Sequence, residues 1–289
     1  PIRGMLISGF VAQDLKKAVY PPFLLGPLQG AGYILEPDTQ KGANDWDFLL
    51  QELYSTLHSR HKALDLFWPD LAWDLFVFVL TETDRLGHFL FPAIQDQGHP
   101  MHNACLNFLQ KWDQLIGEVL RRYEALPEPK RLLVLADHGF TSLITEVDLN
   151  AWLKQMGLFQ TQGQARDQWN SQVISEKSKA FALDPGRIYI HDQKRFKQGK
   201  ISPAQANVIL KEIKSELSQL HYQGQPVIKA IYTKDELYPG TEHALAPDLV
   251  CVGYPGFDLK GKFDRKEIFG LYGRYGCHTA DDAFFYDSL

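Results

Sequence analysis

The stretch RLLVLADHGF, residues 131–140, ends a run of apolar residues with an acid, an imidazole and a glycine. The apolar part predicts a β-strand over 131–136, because continuous hydrophobic runs of this length are typical of strands buried on both faces. Neighbouring side chains of a strand point to opposite faces, so Asp137 and His138 can serve one centre only if the backbone turns there. Gly139 permits such a turn.

A second apolar run with a similar ending lies upstream. WDLFVFVL, residues 73–80, predicts another buried strand and leads directly into TETDRLGH. Asp84 and His88 lie four residues apart, so one helical turn places the carboxylate and the imidazole on one face, spaced to bind one cation. Because ligands of open parallel sheets bind beyond the carboxyl ends of the strands, we expect both Asp/His pairs at the same edge of the sheet.

The chain as a whole alternates strands with helices, which predicts an α/β fold. Apolar residues at helical spacing predict a helix over about 45–61 and a long helix over 105–123. The long helix would join the two buried strands by a right-handed parallel crossover. We therefore expect a mainly parallel sheet with helices on both faces. Further strands are predicted over 4–10, 186–192 and 247–254, and further helices between Thr145 and Gly157 and from Ser202 to about Leu220.

The composition of the sequence changes after the predicted crossover. Residues 160–179 are polar and rich in Gln and Ser, which is typical of a mobile connection or a lid. We expect residues 1–159 and 246–289 to form the α/β core, and residues 160–245 to form a smaller inserted lid subregion.

Composition restricts the class of protein. A chain of 289 residues with 45% hydrophobic and 12% aromatic residues is typical of a packed globule. The net charge of -5, without a clustered basic face, argues against a nucleic acid polymer as a partner. No apolar run of this chain has the length of a membrane span. Cys105, Cys251 and Cys277 are widely spaced and odd in number, which favours a reducing compartment, and we expect a cytoplasmic location.

The Asp/His motifs also have a structural interpretation. A lone histidine near a strand end more often satisfies a hydrogen bond than binds a metal, and Asp-His dipeptides make ordinary turns. The metal interpretation is favoured because two Asp/His pairs follow the two strongest predicted parallel strands. Near the chain's end GRYGCHTADD places His278 in a glycine-bearing loop that can fold over the same edge.

These motifs resemble those of a known group of enzymes. TETDRLGH, LADHGF and the late GCH are similar, in order and spacing, to the metal-binding motifs of the alkaline phosphatase superfamily. More narrowly they resemble the type I phosphodiesterase/nucleotide pyrophosphatase branch and its predicted phosphohydrolase/phosphomutase relatives. GMLISGF, ELYPG and APDLVCV extend the resemblance over most of the chain.

The resemblance implies an alkaline phosphatase-like fold with a two-metal site. Asp84, His88 and His278 would bind one divalent ion, while Asp137 and His138 would bind the other. A set of imidazoles and carboxylates without cysteine suits zinc in the first place, with manganese or iron as alternatives. The implied activity is metal-dependent hydrolysis of a small phosphorylated substrate, by a phosphodiesterase, a nucleotide pyrophosphatase or a phosphohydrolase.

The resemblance leaves the catalytic nucleophile unassigned. In the family a Thr or Ser nucleophile and a further metal Asp come from a segment that would lie upstream of Pro1. We therefore expect the full-length parent to be the active enzyme, and this chain alone to show little activity. Two alternatives stay open: a non-catalytic remnant of the fold that binds metal or a phosphate ligand, and a phosphomutase.

Overall fold

The computed structural model describes residues 3–9, 12, 14–69 and 73–289. Two compact units make up the chain. The first comprises Pro1–Phe140, Gly273–Gly276 and Ala280–Leu289, and the second comprises Thr141–Tyr272 and Cys277–Thr279. Among the described residues, no helix is both long enough and apolar enough to cross a bilayer.

Helices and short strands alternate along the chain. The helices are α1 (Leu15–Ala18), α2 (Leu25–Gly30), α3 (Thr39–Gly42), α4 (Trp46–Phe67), α5 (Glu82–Gln95), α6 (His102–Glu124), α7 (Leu149–Gln155), α8 (Pro203–Leu217) and α9 (Lys234–Leu237). The strands are β1 (Leu6–Ile7), β2 (Val19–Tyr20), β3 (Leu133–Leu135), β4 (Gly139–Ser142), β5 (Thr145–Asp148), β6 (Ala180–Leu183), β7 (Arg187–Ile190), β8 (His221–Tyr222), β9 (Gln225–Pro226), β10 (Ile228–Thr233), β11 (Leu249–Gly253), β12 (Phe257–Lys260), β13 (Phe269–Gly270), β14 (Gly276–Thr279) and β15 (Phe285–Asp287).

The first unit is built mainly from α4, α5 and α6. Asp45 begins α4 by accepting a hydrogen bond from the Phe48 backbone N–H, as an N-cap aspartate commonly does. The predicted helices over 45–61 and 105–123 are confirmed as α4 and α6. The three helices bury apolar faces against one another, with a core that includes Leu49, Leu53, Leu64, Leu86, Leu90, Cys105 and Phe108.

The strands predicted for this unit are largely wrong. Residues 73–80 are assigned to no strand, and Leu75 and Val77 are 80% and 72% exposed, so the segment is not buried on both faces. The run over 131–136 contributes only β3, which pairs antiparallel with β15. Of the strand predicted over 4–10, Phe10 lies outside the described residues, and the rest gives β1, antiparallel to β2.

The second unit contains two larger sheets. One has the strand order β10-β11-β7-β6 with antiparallel pairing throughout. The other has the order β12-β5-β13, in which β12 pairs parallel and β13 pairs antiparallel with β5. The strands predicted over 186–192 and 247–254 are confirmed as β7 and β11. Since the sheets of the described residues are small and mixed, a mainly parallel sheet is not confirmed, although helices and strands alternate as an α/β fold requires.

Two helices of the second unit test the capping patterns. Ser202 and Gln205 form the capping box that begins α8, as predicted. The helix predicted from Thr145 begins later, because residues 145–148 form β5 and Asp148 is the N-cap of α7. The two compact units are defined by packing alone. The predicted division is a functional one, with a core over 1–159 and 246–289 and a lid over 160–245, so it stays a prediction.

Asp148 carries a buried carboxyl group. The residue is 1% exposed, and its two oxygens accept hydrogen bonds from the backbone N–H groups of Ala151 (2.8 Å) and Lys262 (2.9 Å). Burial raises the pKa of Asp148 to about 6, against these hydrogen bonds, which lower it. The folded protein therefore favours the protonated form more than the unfolded chain does.

The raised pKa predicts how stability depends on pH. Asp148 contributes its full stabilisation below its unfolded pKa, near 4, and loses it as the pH rises through about 6. Asparagine does not titrate, so Asp148→Asn should cost more at pH 4 than at pH 7.5, by on the order of 2–3 kcal/mol. Urea unfolding of both proteins at the two pH values measures this difference. An equal cost at both would contradict the prediction.

Candidate metal centre

Asp84 and His88 lie one turn apart on α5, which confirms their predicted placement on one helix face. The His88 Nε2 atom is 3.6 Å from the Asp84 Oδ1 atom. His88 is buried and Asp84 is partly exposed, so the imidazole is held firmly while the carboxylate can meet a ligand.

His138 approaches the same carboxylate from the end of β3, whereas the Asp137 side chain beside it is 88% exposed. The His138 Nε2 atom lies 3.7 Å from Asp84 Oδ1 and 3.5 Å from Asp137 Oδ1. The chain bends at Asp137, and Gly139 begins β4 without adopting a left-handed conformation. His138 reaches Asp84 as predicted and Asp137 lies beside His138, but the predicted turn at the glycine is wrong.

Backbone carbonyl groups orient both imidazole rings. The His88 Nδ1 atom lies 3.2 Å from the Gly276 carbonyl oxygen, and the His138 Nδ1 atom lies 3.1 Å from the Gly139 carbonyl oxygen. When each Nδ1–H donates to its carbonyl, the lone pair is on Nε2, which faces Asp84 Oδ1. Metal-binding histidines are commonly held in this way by a partner at the other ring nitrogen.

The donor set fits a divalent metal ion. In the first unit, the His88 and His138 imidazoles both lie close to one Asp84 carboxylate oxygen, and the Asp137 carboxylate lies beside His138. His278 belongs to the second unit, where it lies on β14 with an exposed side chain, so its predicted placement in a loop is wrong. Imidazole nitrogens combined with carboxylate oxygens suit zinc, and also manganese and iron.

Two glycines allow the elements of this centre to pack closely. The Phe140 ring contacts the rings of His88 and His138, with centroids 5.1 and 6.0 Å apart. A Cβ atom added at Gly87 would lie 2.9 Å from the Phe140 ring, and one added at Gly276 would lie 2.2 Å from the Gly87 carbonyl oxygen. The backbone that orients His88 therefore lies directly on α5, where a side chain would separate them.

Gly276→Ala should destabilise the protein by about 1–3 kcal/mol, because the new methyl group meets backbone that cannot move aside easily. Gly117, inside α6, is a matched control, since nothing lies within 4 Å of an added Cβ there. Gly117→Ala should instead stabilise by about 0.5–1 kcal/mol through its higher helix propensity. Urea unfolding of the two variants measures both effects, and a Gly276→Ala protein as stable as wild type would argue against this close contact.

The sequence interpretation missed two charged residues near the centre. The Arg85 guanidinium contacts Asp84 Oδ2, and its Nε atom donates to Glu36 Oε1 at 2.5 Å. Arg85 lies inside TETDRLGH directly after the predicted ligand Asp84. This position in the motif could have identified it as a residue near the centre. Glu36 is 49 residues away along the chain, and no local pattern marks it.

The chain matches one family model, described as type I phosphodiesterase / nucleotide pyrophosphatase, over residues 33–281. The match covers most of the chain and includes Asp84, His88, Asp137, His138 and His278. Searches of the curated proteins and of the solved structures give no significant match.

Proposed function

Because the chain belongs to the type I phosphodiesterase/nucleotide pyrophosphatase family of the alkaline phosphatase superfamily, we propose that it is an enzyme that hydrolyses a small phosphodiester or pyrophosphate with the help of divalent metal ions. The family consists of hydrolases that are generally metal-dependent. One observation carries the proposal for this chain: the Nε2 atoms of His88 and His138 both face the Oδ1 atom of Asp84.

Two ions, zinc in the first place, would be held by the residues of the centre. Asp84, His88 and His278 would bind one ion, and Asp137 and His138 would bind the other. When bound, the ions supply positive charge that stabilises negative charge developing on the phosphoryl oxygens. The chain's own contribution is orientation, because the two carbonyl groups that face Nδ1 of His88 and His138 fix their rings before any ligand arrives.

The environment of the imidazoles also favours binding. The Phe140 ring packs against both imidazole rings, and His88 is buried. In such a partly dry site, charged groups interact more strongly than they do in water. We assign no nucleophile among the described residues, so the attacking oxygen stays a prediction from the resemblance.

The test uses the full-length protein, stripped of metal with a chelator and reloaded with zinc, manganese or iron. We expect p-nitrophenolate release from bis-p-nitrophenyl phosphate, or cleavage of a nucleotide pyrophosphate, only after reloading, and slower release from p-nitrophenyl phosphate. Metal binding without turnover of any ester would favour the non-catalytic alternative. A rearranged phosphate ester in place of hydrolysis products would favour a phosphomutase.

A further inference from the structure

We propose that Arg85 and Glu36 are positioning residues that fix the Asp84 carboxylate with one oxygen directed to the two imidazoles. The proposal rests on the proposed function and deepens it, since it explains how the metal-binding carboxylate is oriented. Arg85 and Glu36 would act through Asp84 and would not themselves bind the ion.

The two oxygens of Asp84 have different surroundings. Oδ2 contacts the Arg85 guanidinium, whereas Oδ1 lies 3.6 and 3.7 Å from the Nε2 atoms of His88 and His138. A carboxylate on a helix can otherwise rotate about its terminal bond. The contact with Arg85 removes this freedom, so that Oδ1 is held towards the imidazoles.

Glu36 fixes Arg85 from the other side. The guanidinium uses Nε for Glu36 and Nη1 for Asp84, and a planar fork with donors in fixed directions suits such a bridge. The side chains of Asp84, Arg85 and Glu36 are only 18–27% exposed, so they are less screened than an ordinary surface ion pair. The Nε and Nη1 groups of Arg85 therefore both donate to carboxylates.

The backbone before Glu36 is fixed to a buried face of α4. The Ile34 N–H donates to Ser59 Oγ at 3.2 Å, and Arg60 donates to the carbonyl oxygens of Ile34 and Leu35 at 2.6 and 2.9 Å. Ser59 and Arg60 are both buried. A continuous chain of contacts therefore runs from the helical core through Glu36 and Arg85 to Asp84, and supports of this kind are what keep metal ligands in place.

Two charge-conserving variants separate orientation from charge. Arg85→Met alone would remove a positive charge near the ion and could tighten binding for that reason alone. Arg85→Met combined with Glu36→Gln removes one charge of each sign, and Arg85→Lys keeps the charge but lacks the fork. The matched control, Arg121→Met with Glu118→Gln, removes one charge of each sign in an Arg/Glu pair on α6.

The experiment measures zinc affinity by competition with a chromophoric chelator, and the unfolding free energy of each metal-free variant. We expect the double variant to bind zinc about 10- to 100-fold more weakly, the usual cost of losing an outer partner of a metal ligand. Arg85→Lys should shift affinity in the same direction by a smaller factor, and the control should leave it unchanged. A merely structural role would instead lower the unfolding free energy and leave the affinity of the folded protein unchanged.

The outcomes distinguish this proposal from the proposed function. A wild-type protein that binds none of zinc, manganese or iron overturns the proposed function, and the positioning role with it. Tight wild-type binding together with unchanged zinc affinity in the double variant and in Arg85→Lys overturns only the positioning role. Unchanged zinc affinity with a raised KM for bis-p-nitrophenyl phosphate also overturns it, and assigns Arg85 to the substrate.

Discussion

His138→Ala should lower the affinity for zinc by at least about 100-fold, because losing an outer partner alone costs about 10- to 100-fold and His138 is a proposed ligand itself. Its Nε2 atom lies within 3.7 Å of carboxylate oxygens from both Asp84 and Asp137, which we assign to different ions. The substitution should therefore reduce binding at both positions. Equilibrium dialysis with elemental analysis gives the affinity and the number of ions bound, and metal-dependent hydrolysis should fall in parallel.

His61→Ala provides the matched control for this experiment. His61 belongs to the same unit, its side chain is 44% exposed, and its Nε2 atom lies 3.9 Å from Asp65, so it offers an imidazole beside a carboxylate without the converging partners. Its replacement should change neither the affinity nor the number of ions. If His138→Ala retained both as well, the proposed site would be wrong.

The local part of the candidate site could be predicted from the sequence. The spacing of Asp84 and His88 is set by helix geometry, so a single helical turn brings them together wherever the helix lies. Asp137 and His138 were predicted from their position after an apolar run, and the structure brings His138 to Asp84, with Asp137 beside His138, although the bend lies elsewhere. Short-range geometry therefore survives errors in the surrounding fold.

The sheet could not be predicted in the same way. An apolar run specifies burial but not a pairing partner, and β3 pairs with β15, which lies about 150 residues further along the chain. Along residues 73–80 the exposed side chains of Leu75, Val77 and Val79 alternate with half-buried ones. Because both sets are apolar, the sequence shows no period of two and resembles a strand covered on both faces.

Contacts between distant charged residues were equally hidden. Two such pairs, Glu36 with Arg85 and Arg60 with Glu82, form only in the folded protein. No short stretch of the sequence contains both partners, so no local pattern predicts either pair. Glu82 begins the helix that carries Asp84, and Arg60 holds the segment that carries Glu36. The support of the candidate metal centre therefore depends on a buried cluster that only the folded chain reveals.

This cluster predicts the largest effect on stability, about 3–5 kcal/mol for Arg60→Met. Arg60 is 6% exposed, and its Nε atom lies 3.8 Å from Glu82 Oε1. Glu82 is fully buried, no side chain of the described residues donates a hydrogen bond to its carboxyl oxygens, and burial raises its pKa. Without Arg60 this acid loses its nearest cation, and the carbonyl groups of Ile34 and Leu35 lose their donors.

Comparison with two further variants shows whether the buried acid causes this loss. Arg60→Met with Glu82→Met should recover part of the stability, since an apolar pair of similar size leaves no charge to bury. Arg131→Met removes an arginine that is 52% exposed and paired with Asp287, and should leave the unfolding free energy nearly unchanged, because exposed ion pairs contribute little. Urea unfolding of the metal-free proteins measures all three. If Arg60→Met were no more costly than Arg131→Met, the cluster would not be the support of α5 that its contacts indicate. If the double variant were no more stable than Arg60→Met, the lost backbone hydrogen bonds, and not Glu82, would account for the effect.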